Sequence, residues 1–198
     1  MNTQAFWNVI GNYNTQTWLW QVVLLLFLAV AIGLSYRKQT CWPAKAALGI
    51  ANLFIGIVFF ACYGTEPIQK YFALPLFLLV GILFLYESWH SKDAILRKPN
   101  TVQMFLLLLY LFYPVVSLLA GNTFPQMVTY IMPCPLVSLS IAVYAGYERK
   151  NILLLALLTL WGVTGIKAVF VHAYEDLILL ICGLYGVVLL TNAIKHKQ

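Results

Sequence analysis

The chain is predicted to be an all-α integral membrane protein, a single domain over 1–198 built as a bundle of seven transmembrane helices. Three observations predict it. The 198 residues are 62% hydrophobic and 9% charged, whereas soluble domains carry roughly 25% charged residues. Mean hydropathy is +0.85. The apolar residues fall into runs of span length, about 20 residues each, separated by short polar or charged stretches.

The spans are expected at about 18–36, 44–63, 71–89, 102–120, 126–147, 152–171 and 175–194. Before them, 1–17 carries no charge, and Phe6, Val9, Ile10 and Tyr13 recur at helical spacing. This segment is expected to lie in the membrane interface, where aromatic rings are favoured. It has no basic leader, and no cleaved signal peptide is expected. Span 1 stops at Arg37-Lys38, and Pro43 suits the start of span 2. Pro75 lies near the start of span 3, and Pro114 predicts a kink in span 4. Glu148-Arg149-Lys150 is a tight turn between spans 5 and 6.

Charge sets the expected orientation. Arg37, Lys38, Lys45, Lys92, Arg97, Lys98, Arg149, Lys150, Lys195 and Lys197 fall on one side under seven spans. Only Lys70 and Lys167 fall elsewhere. Basic residues concentrate on cytoplasmic loops, so the N-terminus is expected outside and the C-terminus in the cytoplasm. The net charge of +6 is read as this topology signal, with no nucleic-acid partner. The expected partners are the lipid bilayer, a small solute or ion, and a second copy in a homo-oligomer.

Span 5 holds the stretch that stands apart. Pro133-Cys134-Pro135 cannot sit within a continuous α-helix, because each proline lacks an N–H and clashes with the preceding turn. Helix 5 is therefore expected to be broken there. A bilayer tolerates a break only where protein or a cavity satisfies the freed carbonyls. Broken helices build ion and solute sites in transporters.

The chemistry-bearing residues collect in the expected outer half. Lys167 lies near the outer end of span 6, and an ionisable group in a span marks a functional site. It either pairs with Glu175 or Asp176 or snorkels to the headgroups. Glu175 and Asp176 begin span 7, where acidic side chains favour the helix dipole. They can also form a charged mouth with Lys167 and His172. Cys134 has three readings: a small apolar filler, a soft-metal ligand, or a redox thiol near Cys62 or Cys182. Gly162 and Gly165, beside Trp161, would let a neighbouring helix approach closely. No HExxH, GxSxG or phosphate-binding glycine loop is present, no histidine lies mid-span for haem, and no cofactor is expected.

Several motifs in this order resemble a family. They are Phe6-Trp7, Tyr13-Asn14, Trp18 and Gln21; Pro133-Cys134-Pro135; Trp161, Gly165 and Ala168; and Glu175-Asp176, Leu180 and Gly183. The chain resembles an uncharacterised family of small bacterial multi-pass membrane proteins, loosely permease-like and without assigned activity. The resemblance implies the bacterial inner membrane and ties the Pro-Cys-Pro region and the Glu-Asp region to one site. The expected site comprises Pro133, Cys134, Pro135, Trp161, Lys167, His172, Glu175 and Asp176. The expected function is a small-solute or ion transporter, channel or binding protein. The alternatives are a membrane sensor or accessory subunit, or a thiol-redox membrane protein.

Overall fold

A computed structural model describes residues 3–90, 95–167 and 173–195, with side chains from Phe6 onward. The described residues are helical, apart from short connections and one isolated bridge between Leu96 and Tyr147. Helix α1 runs Thr3–Lys38 and ends on Arg37 and Lys38, where cations favour the dipole. The N-terminal residues expected to form a separate interfacial segment are its first turns. Nothing in 3–17 breaks the helix, because it lacks proline and its single Gly11 costs only about 1 kcal/mol.

Helix α2, Trp42–Phe54, starts with proline in its first turn and widens into π-helical turns over Ile55–Cys62. A second π-helical stretch, Gln69–Ala73, leads into α3, Leu74–His90. The two helices form an antiparallel hairpin. Gly49 and Gly81 face each other, and a Cβ on either would lie 3.0 Å from the other's carbonyl oxygen. Helix α4, Thr101–Leu111, begins at a capping box formed by Asn100 and Gln103. Helix α5, Tyr113–Leu119, continues it at an angle of 48°. The bend falls at Pro114, as expected from its missing N–H and its clash with the preceding turn.

The next element differs from expectation. Helix α6 runs Pro133–Tyr144, and 121–132 is not helical. Pro133-Cys134-Pro135 is therefore the first turn of a helix and not a break inside one. First-turn N–H groups have no intrahelical partner, so prolines cost nothing there. Met132 takes the extended conformation that a following proline imposes. Helix α7, Ile152–Val163, is capped by Asn151 and tightens into a 3₁₀ turn at Thr164–Lys167. Another 3₁₀ turn, Tyr174–Asp176, opens α8, Leu177–Lys195.

Four of these helical stretches are long and apolar enough to cross a membrane: Phe6–Lys38, Trp42–Cys62, Gln69–His90 and Tyr174–Lys195. The bent pair α4–α5 makes a fifth. The other two predicted spans correspond to shorter apolar helices, Pro133–Tyr144 and Ile152–Lys167. At 1.5 Å per residue, α6 is roughly 18 Å long, against about 30 Å of hydrocarbon. It is the central element: apart from Cys134, every one of its residues is buried. By contrast α1 exposes Trp18, Trp20, Val23, Leu26 and Val30, as a lipid-facing helix must.

The non-helical segment before α6 is held by α1. Tyr13 donates to the carbonyl of Ile131 at 2.7 Å. Asn14 Nδ2 donates to the carbonyls of Pro125 and Met127 at 2.7 and 2.9 Å. Thr129 donates to Gln21 Oε1 at 2.7 Å, and Ser117 Oγ accepts from the N–H of Val128 at 3.0 Å. Buried irregular backbone requires such internal partners. Tyr13 and Asn14, part of the motif at the start of the chain, supply them to the carbonyls, and Gln21 of the same motif holds the Thr129 side chain.

At the opposite end lies a feature that sequence reading assigned to topology alone. Lys45 is buried, and its Nζ is 2.6 Å from Glu87 Oε2. Tyr144 donates to Glu87 Oε1 at 2.7 Å, and the Lys45 ammonium sits 4.6 Å from the centre of the Tyr147 ring. Lys45 is thus a structural ion-pair partner and not a free loop charge. The signal was legible: one basic residue inside the second predicted span and one acidic residue inside the third, at matching depth in a hairpin.

Candidate functional site

The site is built where α7, α8 and α6 meet. Gly162 and Gly183 face each other so closely that a Cβ on Gly183 would stand 2.3 Å from the Gly162 carbonyl carbon. A Cβ on Gly165 would stand 2.6 Å from Leu180 N and 2.7 Å from Asp176 O. Only glycine permits this approach. It presses the end of α7, carrying Trp161, against the start of α8, carrying Asp176. The first turn of α6 closes the third side.

A cavity of about 180 Å³ opens beside this junction, walled on its other sides by α1 and the two π-helical stretches. Pro133, Cys134, Pro135, Trp161, Lys167 and Asp176 line it. Cys134 and Asp176 are half-buried, while Lys167 is exposed. The Cys134 thiol stands against the Asp176 carboxyl, within hydrogen-bonding reach of it. The Trp161 ring meets Phe77 edge-on, with centroids 5.0 Å apart, and Phe60 at 5.7 Å. Its Nε1–H is near enough to Cys134 to act on the thiol, but makes no hydrogen bond of acceptable geometry.

Two of the expected residues are placed otherwise. Glu175 is fully buried and turned away from the cavity. Its Oε1 accepts from Ser117 Oγ at 3.1 Å, and its Oε2 has no hydrogen-bond partner among the described residues. Through Ser117 it reaches Val128 N, so it braces the segment before α6. His172 lies outside the described residues. Lys167 forms an ion pair with neither Glu175 nor Asp176, since the ion pairs among the described residues are Lys45–Glu87 and Arg97–Glu148.

Most of the wall comes from residues that the sequence does not single out. Phe59, Phe60, Gln69 and Phe72 reach the cavity from the two π-helical stretches. A π turn shifts side-chain directions away from 3.6-residue periodicity, so a periodic pattern cannot place them. Gln69 carried a weak signal as a polar residue at a span end. Its Oε1 accepts from the N–H groups of Thr65 and Glu66 at 2.9 and 3.0 Å, which fixes the turn that delivers Phe72.

All four cysteines are free; Cys41 and Cys182 are buried and Cys62 is exposed. No group of three His, Cys, Asp or Glu side chains suited to a metal surrounds Cys134 or any other described residue.

The model of a family of unknown function, DUF6064, matches residues 3–198. The chain belongs to the DUF6064 family. No curated protein and no solved structure matches it. The match spans both halves of the cavity, from α1, which holds the segment before Pro133, to α8, which follows directly on Asp176. It assigns this membrane protein no activity.

Proposed function

We propose that this DUF6064 protein binds a small polar solute in the cavity lined by Cys134, Lys167 and Asp176 and takes part in moving it across the bacterial inner membrane. One observation carries the reading. Cys134, Lys167 and Asp176 line one cavity whose other walls are mostly apolar and aromatic. Ionisable groups in a membrane protein are costly and mark solute or ion pathways.

The polypeptide crosses seven times in this reading, with the N-terminus outside. Helices α6 and α7 cross as short helices completed by the segments beside them. The basic residues support the orientation, although Lys45 leaves the count because Glu87 neutralises it. The cavity then opens toward the outer face. Its size limits the guest. At about 180 Å³ it falls below the roughly 300 Å³ of ordinary ligand pockets, so only a small molecule fits.

Thiol labelling tests the proposal. In intact cells, a membrane-impermeant methanethiosulfonate should modify Cys134. A Thr164→Cys variant on a Cys134→Ser background provides a second reporter on the same wall, with the exposed Cys62 replaced by Ser in every protein tested. Modification of either reporter from outside supports the reading. A failure of both to react, in protein that labels after unfolding, would overturn it.

A further inference from the structure

Two ionisable side chains of opposite type line the cavity without pairing with each other. Asp176 and Lys167 both line it, yet no ion pair joins them, and neither forms one with another described residue. The neighbouring carboxylate, Glu175, is occupied with Ser117 and does not line the space. A membrane protein that needed only structural charges would bring them together, as it does at Lys45 and Glu87. Here a half-buried carboxyl beside the Cys134 thiol and an exposed lysine line one cavity without forming an ion pair.

The same cavity wall is rich in aromatic rings. Phe59, Phe60, Phe72 and Trp161 contribute to it. Ring faces attract ammonium groups, more strongly when water is excluded. A carboxylate beside aromatic faces is a recognition site for an organic cation, and a lysine at the rim suits an anionic group on the same molecule.

We propose that the solute is a small zwitterion, with its ammonium against Asp176 and the aromatic wall and its carboxylate toward Lys167. This rests on the solute-binding reading above and names the chemical class that the cavity selects. The small volume restricts it to compounds with the two charges only a few bonds apart. The cavity discriminates against simple anions, which meet Asp176, and binds simple cations less well, because they leave Lys167 unmatched.

The test uses full-length protein purified in detergent, with the thermal unfolding midpoint as the readout. Glycine betaine is the zwitterionic probe, tetramethylammonium the cation and acetate the anion. Ligands that bind only the folded state raise the midpoint with concentration. Glycine betaine should give a saturable rise, tetramethylammonium one that needs about tenfold more ligand, and acetate none. Asp176→Asn should abolish both shifts. Lys167→Gln should weaken glycine betaine to the level of tetramethylammonium and leave the latter unchanged. Because Lys167 is exposed, that variant carries the test if Asp176→Asn does not fold.

A rise with acetate alone, equal binding of all three probes, or an unchanged response in Lys167→Gln would overturn the zwitterion assignment. So would no response to glycine betaine in protein whose Cys134 thiol, or whose Thr164→Cys reporter, labels from outside; the pocket itself would then stand. If neither reporter labels, both readings fall together.

Discussion

Lys45 Nζ lies 2.6 Å from Glu87 Oε2, with the two side chains only 1% and 7% exposed. The α2–α3 hairpin brings them to the same depth, and tyrosines from the end of α6 surround them. Both carboxylate oxygens are engaged, one by Lys45 and one by the Tyr144 hydroxyl. Tyr144 Oη also accepts from the N–H of Asn151 at 2.7 Å, so the cluster joins α2, α3, α6 and the start of α7. Its energetics follow from burial. Removing one partner strands the other charge, which costs about 3–5 kcal/mol, whereas replacing both with apolar groups is often neutral. Lys45→Met and Glu87→Leu should each lower stability by that order, and the double variant should recover most of the loss. Unfolding in mixed micelles with increasing dodecyl sulfate measures this. Additive losses in the double variant would show that the pair is not the source.

The hydrogen bonds from α1 to the segment before Pro133 lead to a second expectation. Asn14 donates to two carbonyls and accepts from Gln21 Nε2 at 3.1 Å. Asn14→Leu leaves those carbonyls without their donor, and a buried unsatisfied group costs about 1–3 kcal/mol. Tyr13→Phe removes a single donor, that to Ile131, and should cost less than Asn14→Leu. Hydrogen exchange localises the effect. The amides of 125–131 should exchange faster in both variants, with those of α3 unchanged.

Glycine contacts give a graded series. A side chain on Gly183 meets the backbone of α7 at 2.3 Å, and backbone cannot yield as a flexible side chain can. Gly183→Val should separate α7 from α8, reduce folded yield and abolish any ligand response. Gly33→Ala meets nothing within 4 Å and should be neutral or stabilise α1 by up to about 1 kcal/mol, the helix propensity difference. Thermal midpoints of the two variants should move in opposite directions or differ by many degrees.

Lys150 supplies a pH dependence. It lies in the turn between α6 and α7, where burial first, and then the charge of Arg97, lowers its pKa from the ordinary 10.5. The folded state therefore holds this proton less tightly than the unfolded chain. The resulting penalty is fully present below the folded pKa and is relieved as pH rises from there toward 10.5. Stability of the protein relative to Lys150→Met should rise with pH across that window and be flat below it. Denaturation of both proteins over a pH series measures the difference. A difference that stays constant would place the effect in the hydrogen bond from Lys150 to the Tyr147 carbonyl.

Much of the architecture can be read along the chain because its causes are local. Apolar run length marks the helices able to cross a membrane, since each must satisfy its own backbone in lipid. Pro114 bends its helix, and Arg37-Lys38 closes α1, through effects confined to one or two turns. Gly162 and Gly165 announce a close neighbour through the absence of a side chain. The tertiary structure decided what depends on which helices stand together. It made Pro133 a beginning, because α1 side chains satisfy the backbone ahead of it. It paired Lys45 with Glu87 and left Lys167 and Asp176 around a cavity without an ion pair among the described residues. It also brought Phe59, Phe60 and Phe72 to that cavity through π turns. Hydropathy and periodicity are properties of single segments, whereas a charge finds its partner, and a cavity its walls, only through contacts between segments far apart in the chain.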